Sequence, residues 1–248
     1  MKRTFVLTAA VICLMLMASP WDLPGLVIAS AEDCPKMEEF QDSETGLNYY
    51  LYSPANQTEN MSLIVYLHGG SGKGSSLSSL TAVDGLPQYL QQGLLAPNAY
   101  VLLPQLPAEQ RGWEQIGDKL IALIRKVAAA CLADEGNISL TGHSMGGTGV
   151  WSLAIAYPDQ FVRIAPLSGS VRLTPRNAEK IEDIPIRVFV GDDDETVPPE
   201  SSLAAVEQLQ RRGTDAQITV FENAGHTDVP RLTYLDEAIG LLSWLIGE

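Results

Sequence analysis

The sequence predicts a domain of the α/β class, with helices on both faces of a mostly parallel sheet. Short apolar segments that resemble buried strands alternate along the chain with longer segments of helical periodicity. One junction between such a strand and helix carries Gly-His-Ser-Met-Gly-Gly at 142–147. A turn of this composition connects a parallel strand to the following helix, so it favours the same class.

The first half of the chain contributes three strands and a long helix. Residues 47–54 are rich in tyrosine and end at a proline, which predicts an antiparallel strand. Residues 62–67 are almost continuously apolar, as in a strand buried on both faces, and 100–103 form the next strand. A helix is predicted over 113–132, where apolar residues recur at helical spacing. We expect Trp113 to anchor this helix rather than to overhang a site.

The second half continues the alternation. Its predicted strands cover 137–142, 163–167, 186–190 and 216–222, and its predicted helices cover 148–157, 199–212 and 232–246. The interval between the second and third of these strands is too short for an inserted cap domain. The sequence therefore predicts a site that is open to solvent.

The amino terminus has the organisation of a secretory signal peptide. Two basic residues precede an apolar run over 5–18, and Ala-Ser-Ala at 29–31 is an A-x-A cleavage signal. A run of about fourteen apolar residues is short for an uncleaved anchor, which needs about twenty. We expect cleavage after Ala31, a secreted or periplasmic protein and no stable membrane association. The domain division is then signal peptide 1–31, N-terminal segment 32–46 and α/β domain 47–248.

Composition restricts the partners. The 248 residues carry 16 Lys and Arg against 30 Asp and Glu, a formal net charge of −14, and no basic cluster relieves it. We therefore expect no nucleic-acid partner, because a polyanion is repelled by such a chain. The acidity instead favours the solubility of an exported protein.

Cleavage after Ala31 would leave two cysteines, Cys34 and Cys131. In an oxidising compartment they can form one bridge, and closing so long a loop would stabilise the fold by about 4 kcal/mol. The alternative is that Cys131, at the end of a predicted helix, is a buried thiol. We expect the bridge.

The turn at 142–147 predicts a serine nucleophile. Its glycines allow a sharp turn that exposes the hydroxyl of Ser144 at the carboxyl edge of the sheet. The chain has only three histidines to serve as the base. His143 belongs to the turn itself and His68 to the loop after the strand at 62–67. His226, in the loop after the last strand, is therefore the predicted general base.

A third group must orient the base, and it is expected between the serine and the histidine in the chain. The strand at 186–190 is followed by four consecutive carboxylates, at 192–195. Composition alone leaves Asp194, Asp193 and Asp192 open as the acid.

The oxyanion of an acyl-transfer reaction needs backbone N–H donors. Met145, immediately after the nucleophile, supplies one. The second is predicted in the glycine-rich loop after the strand at 62–67, with Gly70 as the first candidate and Ser71 as the second.

Taken together, these motifs resemble the α/β-hydrolase superfamily. More closely, the chain is similar to small capless esterases of the phospholipase/carboxylesterase and "predicted peptidase" type, which are related to prolyl oligopeptidase catalytic domains. The resemblance covers about 47–247. It rests on Leu-His-Gly-Gly at 67–70, Leu-Pro-Gln at 103–105, Thr-Gly-His-Ser-Met-Gly-Gly at 141–147, Gly-x-x-Asp-x-x-Val-Pro at 191–198 and Gly-His at 225–226. In that family the aspartate of the fourth motif is the acid, which favours Asp194.

The resemblance implies ester hydrolysis through an acyl-enzyme, catalysed by Ser144, His226 and Asp194 without a metal or an organic cofactor. The expected substrates are small soluble esters or acetyl and feruloyl-type esters on polysaccharides, because no lid for long-chain lipids is predicted. A serine peptidase is the alternative that the relationship to prolyl oligopeptidases leaves open. A non-catalytic binding protein is a second alternative, which the complete triad disfavours.

Overall fold

The computed structural model describes residues 34–248 and contains one eight-stranded sheet. Its strands are β1 (Lys36–Gln41), β2 (Asn48–Ser53), β3 (Leu63–Leu67), β4 (Tyr100–Pro104), β5 (Ile138–His143), β6 (Arg163–Leu167), β7 (Ile186–Gly191) and β8 (Ala216–Phe221). The helices are α1 (Ser78–Thr81), α2 (Leu86–Gln91), α3 (Gly117–Ala130), α4 (Met145–Ala156), α5 (Pro175–Lys180), α6 (Glu200–Gln210), α7 (Val229–Tyr234) and α8 (Leu241–Ile246).

The strand order is β1-β2-β4-β3-β5-β6-β7-β8. β2 is antiparallel to both of its neighbours, and all pairs from β4 to β8 are parallel. The carboxyl ends of the parallel strands therefore meet at one edge of the sheet, where α/β proteins place their ligand-binding loops.

Alternating side chains of the buried strands form one core on each face of the sheet. In β3, Leu63, Val65 and Leu67 pack into the core beneath α3, α4 and α6, while Ile64 and Tyr66 pack into the core beneath α1, α2, α7 and α8. This division follows from the two-residue period of a strand. The continuous apolar run that predicted β3 is explained because both of its faces are covered. The α/β class is confirmed.

The predicted strands are all present, and the structure adds elements that the sequence pattern did not reveal. β1 lies within the predicted N-terminal segment 32–46 and pairs with β2. Helices α1, α2 and α5 were not predicted. Between β6 and β7 the chain contains only the short α5, so no cap domain is inserted there.

The single helix predicted over 232–246 is wrong, because α7 and α8 are separate helices. Between them the side chain of Asp236 accepts the N–H of Ala238 at 2.9 Å. Gly240 then takes a left-handed conformation with φ 55°. A side chain that captures nearby backbone, followed by a left-handed glycine, ends a helix despite a favourable apolar pattern.

Trp113 anchors α3, as predicted. It begins a one-turn 3₁₀ helix, Trp113–Ile116, that leads into α3. Its side chain is fully buried, and its indole N–H donates to the carbonyl of His68 at 3.1 Å. The tryptophan therefore joins the start of this helix to the loop after β3.

The expected bridge between Cys34 and Cys131 is wrong, since both residues are free thiols. Cys34 is exposed just before the edge strand β1, whereas Cys131 ends α3 and packs against the core on one face of the sheet. Cys131 is instead a partly buried thiol at the end of a helix, which was the alternative interpretation of the sequence.

Within residues 34–248, no helix is long and apolar enough to cross a membrane. The predicted signal peptide, 1–31, lies outside the described residues.

Candidate active site

Ser144 occupies a strained turn between β5 and α4. Its backbone has φ 60° and ψ −121°, an arrangement that a residue other than glycine adopts only when its surroundings impose it. The N–H of Ser144 donates to the carbonyl of Leu167 in the neighbouring strand at 2.9 Å, which fixes the turn to the sheet. This geometry is that of the nucleophile turn that the sequence predicted.

The glycines of the turn are required by close contacts with β3. A Cβ atom on Gly146 would lie 1.8 Å from the carbonyl oxygen of Leu67, and one on Gly142 would lie 2.6 Å from the same oxygen. A side chain at Gly146 would force α4 away from β3, and one at Gly142 would force β5 away from the same strand. The glycine pattern therefore reports how closely the helix and the strand approach.

His226 lies in the loop after β8 and contacts both other members of the predicted triad. Its Nε2 is 2.7 Å from Oγ of Ser144, and its Nδ1 is 2.7 Å from Oδ2 of Asp194. An imidazole held in this way can take the serine proton on one nitrogen while the carboxylate fixes the tautomer through the other.

Of the consecutive carboxylates after β7, Asp194 alone is buried, whereas Asp192 and Asp193 are exposed. Oδ1 of Asp194 accepts the N–H groups of Thr196 and Val197 at 3.0 and 2.8 Å. Burial acts to raise the pKa of Asp194, but the hydrogen bonds from Val197 and His226 outweigh it and lower that pKa. The buried side chain thus remains a carboxylate beside the imidazole.

The predicted oxyanion donors lie at the starts of two helical segments. Met145 is the first residue of α4, and Gly70 is the first of a 3₁₀ turn, Gly70–Gly72. The first N–H groups of a helix have no acceptor within it, so they are free to bind a ligand. A Cβ atom on Gly69 would lie 3.3 Å from Cβ of Ser144, which shows that this loop runs directly beside the nucleophile. The structure keeps both Gly70 and Ser71 at the site.

His68 holds in place the loop after β3, residues 68–72, which we call the oxyanion loop. The sequence did not reveal this role. Its Nε2 accepts the N–H of Leu106 at 2.9 Å, while Nδ1 contacts the carbonyl of Gly69 at 2.6 Å. Only a neutral ring that carries its proton on Nδ1 satisfies both contacts. Burial lowers the pKa of His68 to about 4 and is consistent with the neutral ring.

His143 supports the loop that carries the base. Its Nε2 is 2.9 Å from the carbonyl oxygen of His226, and the two ring centroids are 4.6 Å apart. Burial and then the neighbouring His226 lower the pKa of His143 to about 4, so at neutral pH the ring donates a hydrogen bond as a neutral group. The sequence placed His143 in the turn at 142–147 and did not predict its contact with the loop of the base.

A pocket of about 450 Å³ opens beside Ser144 and His226. Its walls are the oxyanion loop, the connection between α1 and α2, and the loops that carry the triad; the lining includes Tyr66, Leu80, Val83, Asp84, Pro87 and Thr227. Two somewhat larger cavities, of about 530 and 470 Å³, are lined by none of the triad residues. We therefore assign substrate binding to the pocket that contains the reactive hydroxyl.

The model of the dienelactone hydrolase family matches residues 100–232, more than half of the chain. A putative carboxymethylenebutenolidase of Aquifex aeolicus is 29% identical over 89 residues, which are 36% of this chain and 38% of that protein. Feruloyl esterase B of Thermothelomyces thermophilus is 28% identical over 152 residues, 56% of this chain and 50% of that protein. The chain thus matches half or less of the length of these relatives.

Among solved structures, a thermostable esterase superposes with a TM-score of 0.69 and 28% sequence identity. The superposition covers 86% of this chain and 63% of the esterase chain. The comparisons agree on a hydrolase fold. In the structure of this chain, a serine, a histidine and an aspartate meet at the carboxyl edge of the sheet.

Proposed function

Because the chain belongs to the dienelactone hydrolase family, we propose that it is a serine carboxylesterase that works through an acyl-enzyme. The observation that carries this proposal is the unbroken hydrogen-bonded series from Asp194 through His226 to Ser144 at the wall of a pocket. The resemblance to esterases in sequence and in fold supports the same reaction.

In the first step His226 removes the proton of Ser144 as its Oγ attacks the ester carbonyl. The N–H groups of Met145 and Gly70 bind the oxyanion that forms, and one such donor typically contributes about 10²–10³ in rate. Asp194 stabilises the imidazolium without taking its proton. The imidazolium then protonates the leaving alcohol, and the acyl group stays on Ser144.

In the second step a water molecule attacks the acyl-enzyme. His226 now takes the proton of that water. As the second tetrahedral intermediate collapses to the acid, the C–O bond to Ser144 breaks and the imidazolium returns its proton to Oγ. The open pocket gives water direct access to the acyl group. Each group in this cycle belongs to the chain itself.

The substrates that we propose are small soluble esters, or acetyl and feruloyl-type esters attached to polysaccharides. A pocket of about 450 Å³ accommodates such an acyl group, and no cap is inserted between β6 and β7 to exclude a polymer. The similarity to feruloyl esterase B supports the aromatic members of this class.

Hydrolysis of p-nitrophenyl acetate and p-nitrophenyl butyrate by the purified protein and by Ser144→Ala tests the proposal. We expect turnover by the parent protein and none by the variant. A folded parent that leaves both esters intact but cleaves a prolyl p-nitroanilide would instead establish a peptidase. Activity in Ser144→Ala equal to that of the parent would disprove the assigned nucleophile.

We also propose that the protein is exported after cleavage following Ala31, on the strength of the apolar run and A-x-A signal at its amino terminus. Amino-terminal sequencing of protein recovered outside the cytoplasm should begin at Glu32. A mature protein that retains residues 1–31 would contradict this proposal.

A further inference from the structure

The pocket beside Ser144 carries a tyrosine hydroxyl and a carboxylate among apolar walls, and this combination indicates which esters fit it. We propose that Tyr66 and Asp84 select an acyl group that ends in a neutral hydroxyl donor, such as a 4-hydroxyphenyl ring, and reject one that ends in a carboxylate. This inference rests on the proposed esterase function and adds a specificity to it.

Tyr66 places its hydroxyl at the wall of the pocket. Its side chain leaves β3 on the face covered by α1 and α2, is only 4% exposed and lines the pocket. A Cβ atom on Gly85 would lie 3.2 Å from this hydroxyl, which places it beneath the connection between α1 and α2. Among the described residues it makes no hydrogen bond. A ligand hydroxyl in the pocket can therefore exchange a hydrogen bond with this phenol.

Asp84 supplies the charge. It lies in the connection between α1 and α2, is exposed and lines the same pocket. Burial and then the charge of Asp84 raise the pKa of Tyr66. Burial, then hydrogen bonding to Asp84 and the charge of that carboxylate, raise the pKa of Tyr89. Tyr89 is buried, and its hydroxyl faces the Asp84 carboxylate without forming a hydrogen bond of ordinary geometry. The carboxylate thus lies close to two phenolic hydroxyls.

No lysine or arginine lines the described pocket. Leu80, Val83 and Pro87 form its apolar walls, against which an aromatic ring or an alkyl chain can pack. A substrate carboxylate in this space would meet Asp84, and Arg231, whose charge acts on Tyr89, does not line the pocket to compensate it. A phenol, by contrast, can donate to Asp84 or exchange hydrogen bonds with Tyr66.

The magnitude of the discrimination depends on exposure. A fully buried site that is built to bind a hydroxyl can reject an analogue without it by about 10⁴-fold or more. Because Asp84 is exposed, water and salt weaken its effect, and we expect discrimination of about tenfold at each comparison. The unfavourable contact with an anion contributes to specificity as much as the favourable contact with a hydroxyl.

The test uses methyl esters of cinnamic, 4-hydroxycinnamic and 4-carboxycinnamic acids. Because the methyl group is too small to fill the pocket, the three esters compare acyl groups alone. For the parent protein we expect kcat/KM to be about tenfold higher for the hydroxy ester than for the unsubstituted ester, and about tenfold lower for the carboxy ester. Asp84→Asn should raise kcat/KM for the carboxy ester, relative to that for the unsubstituted ester, about fivefold or more. Tyr66→Phe should reduce the preference for the hydroxy ester without improving the carboxy ester.

Asp183→Asn is the matched control. It removes the same charge from an exposed residue just before the amino end of β7, at the opposite edge of the sheet. We expect it to keep the parent's ratios among the three esters. Binding of the esters to Ser144→Ala, measured by calorimetry, should follow the same order and does not depend on turnover.

Unchanged ratios in Asp84→Asn would overturn the inference. So would equal binding of the three esters by Ser144→Ala. If the parent cleaves p-nitrophenyl acetate but none of the methyl esters, the specificity is disproved and the esterase function stands. If it cleaves neither set, the proposed function itself fails.

Discussion

At the scale of single residues, the carboxylate of Asp194 is the part of the triad that depends most on its surroundings. Two backbone N–H groups and the imidazole of His226 surround it, while its neighbours in the acidic run face solvent. A carboxylate whose lone pairs are occupied in this way can orient one tautomer of the base and no other.

We predict that Asp194→Asn lowers kcat by about 10⁴, because the amide would hold the imidazole in the wrong tautomer. Asp193→Asn, at an exposed position of the same turn, should keep kcat within about threefold of the parent. Steady-state kinetics with p-nitrophenyl butyrate measures both variants. An active Asp194→Asn beside an inactive Asp193→Asn would move the acid to the neighbouring position.

His143 is a positioning residue, since it donates to the backbone of His226 rather than to a reacting atom. We predict that His143→Ala lowers kcat about tenfold or more with little change in KM, because a small displacement of the base is costly. His143→Gln, whose amide can donate to the same carbonyl, should recover part of the loss. A change confined to KM would show that the residue acts on substrate binding instead.

At the scale of elements, the loop after β3 is held by the ring of His68. The backbone N–H that its Nε2 accepts cannot be accepted by a protonated imidazole. Burial lowers the pKa of His68 to about 4, below the ordinary value of 6.5. The unfolded chain therefore binds the proton first as the pH falls. This stabilisation is complete above about pH 6.5 and is lost as the pH falls towards 4.

We predict that the free energy of unfolding falls by about 3 kcal/mol more in the parent than in His68→Gln when the pH is lowered from 7 to 4. Urea denaturation at several pH values measures the two curves. His68→Gln is expected to be less stable than the parent at pH 7, so the difference in pH dependence carries the test. Parallel curves would show that protonation of this ring does not oppose folding.

At the scale of the whole molecule, β1 and α3 place the two described cysteines in different environments. Cys34 is exposed before an edge strand, and Cys131 is partly buried. We predict that both thiols react with a maleimide in the unfolded protein without reductant. Reductant should also leave the midpoint of urea unfolding unchanged, because no loop is closed by a bridge. Labelling that requires reductant would restore the bridge.

The sequence by itself determined where β2 to β8 lie along the chain and which groups react. Buried parallel strands are short and continuously apolar, so β3 and β5 are visible without tertiary information. The turn at Ser144 is equally local, because its glycines are required wherever a helix returns closely to a strand. The scarcity of histidine then made His226 the base by elimination.

The tertiary structure decided what depends on contacts between distant segments. Composition could not choose among the carboxylates after β7, because burial distinguishes Asp194 and burial comes from packing. The helices α1 and α2 are too short for a clear periodic signal, yet they form a wall of the pocket. From the sequence Tyr66 is an ordinary core residue of a strand. Only the fold places it in the lining of the same pocket as Asp84. Specificity is therefore set by contacts that no local pattern records.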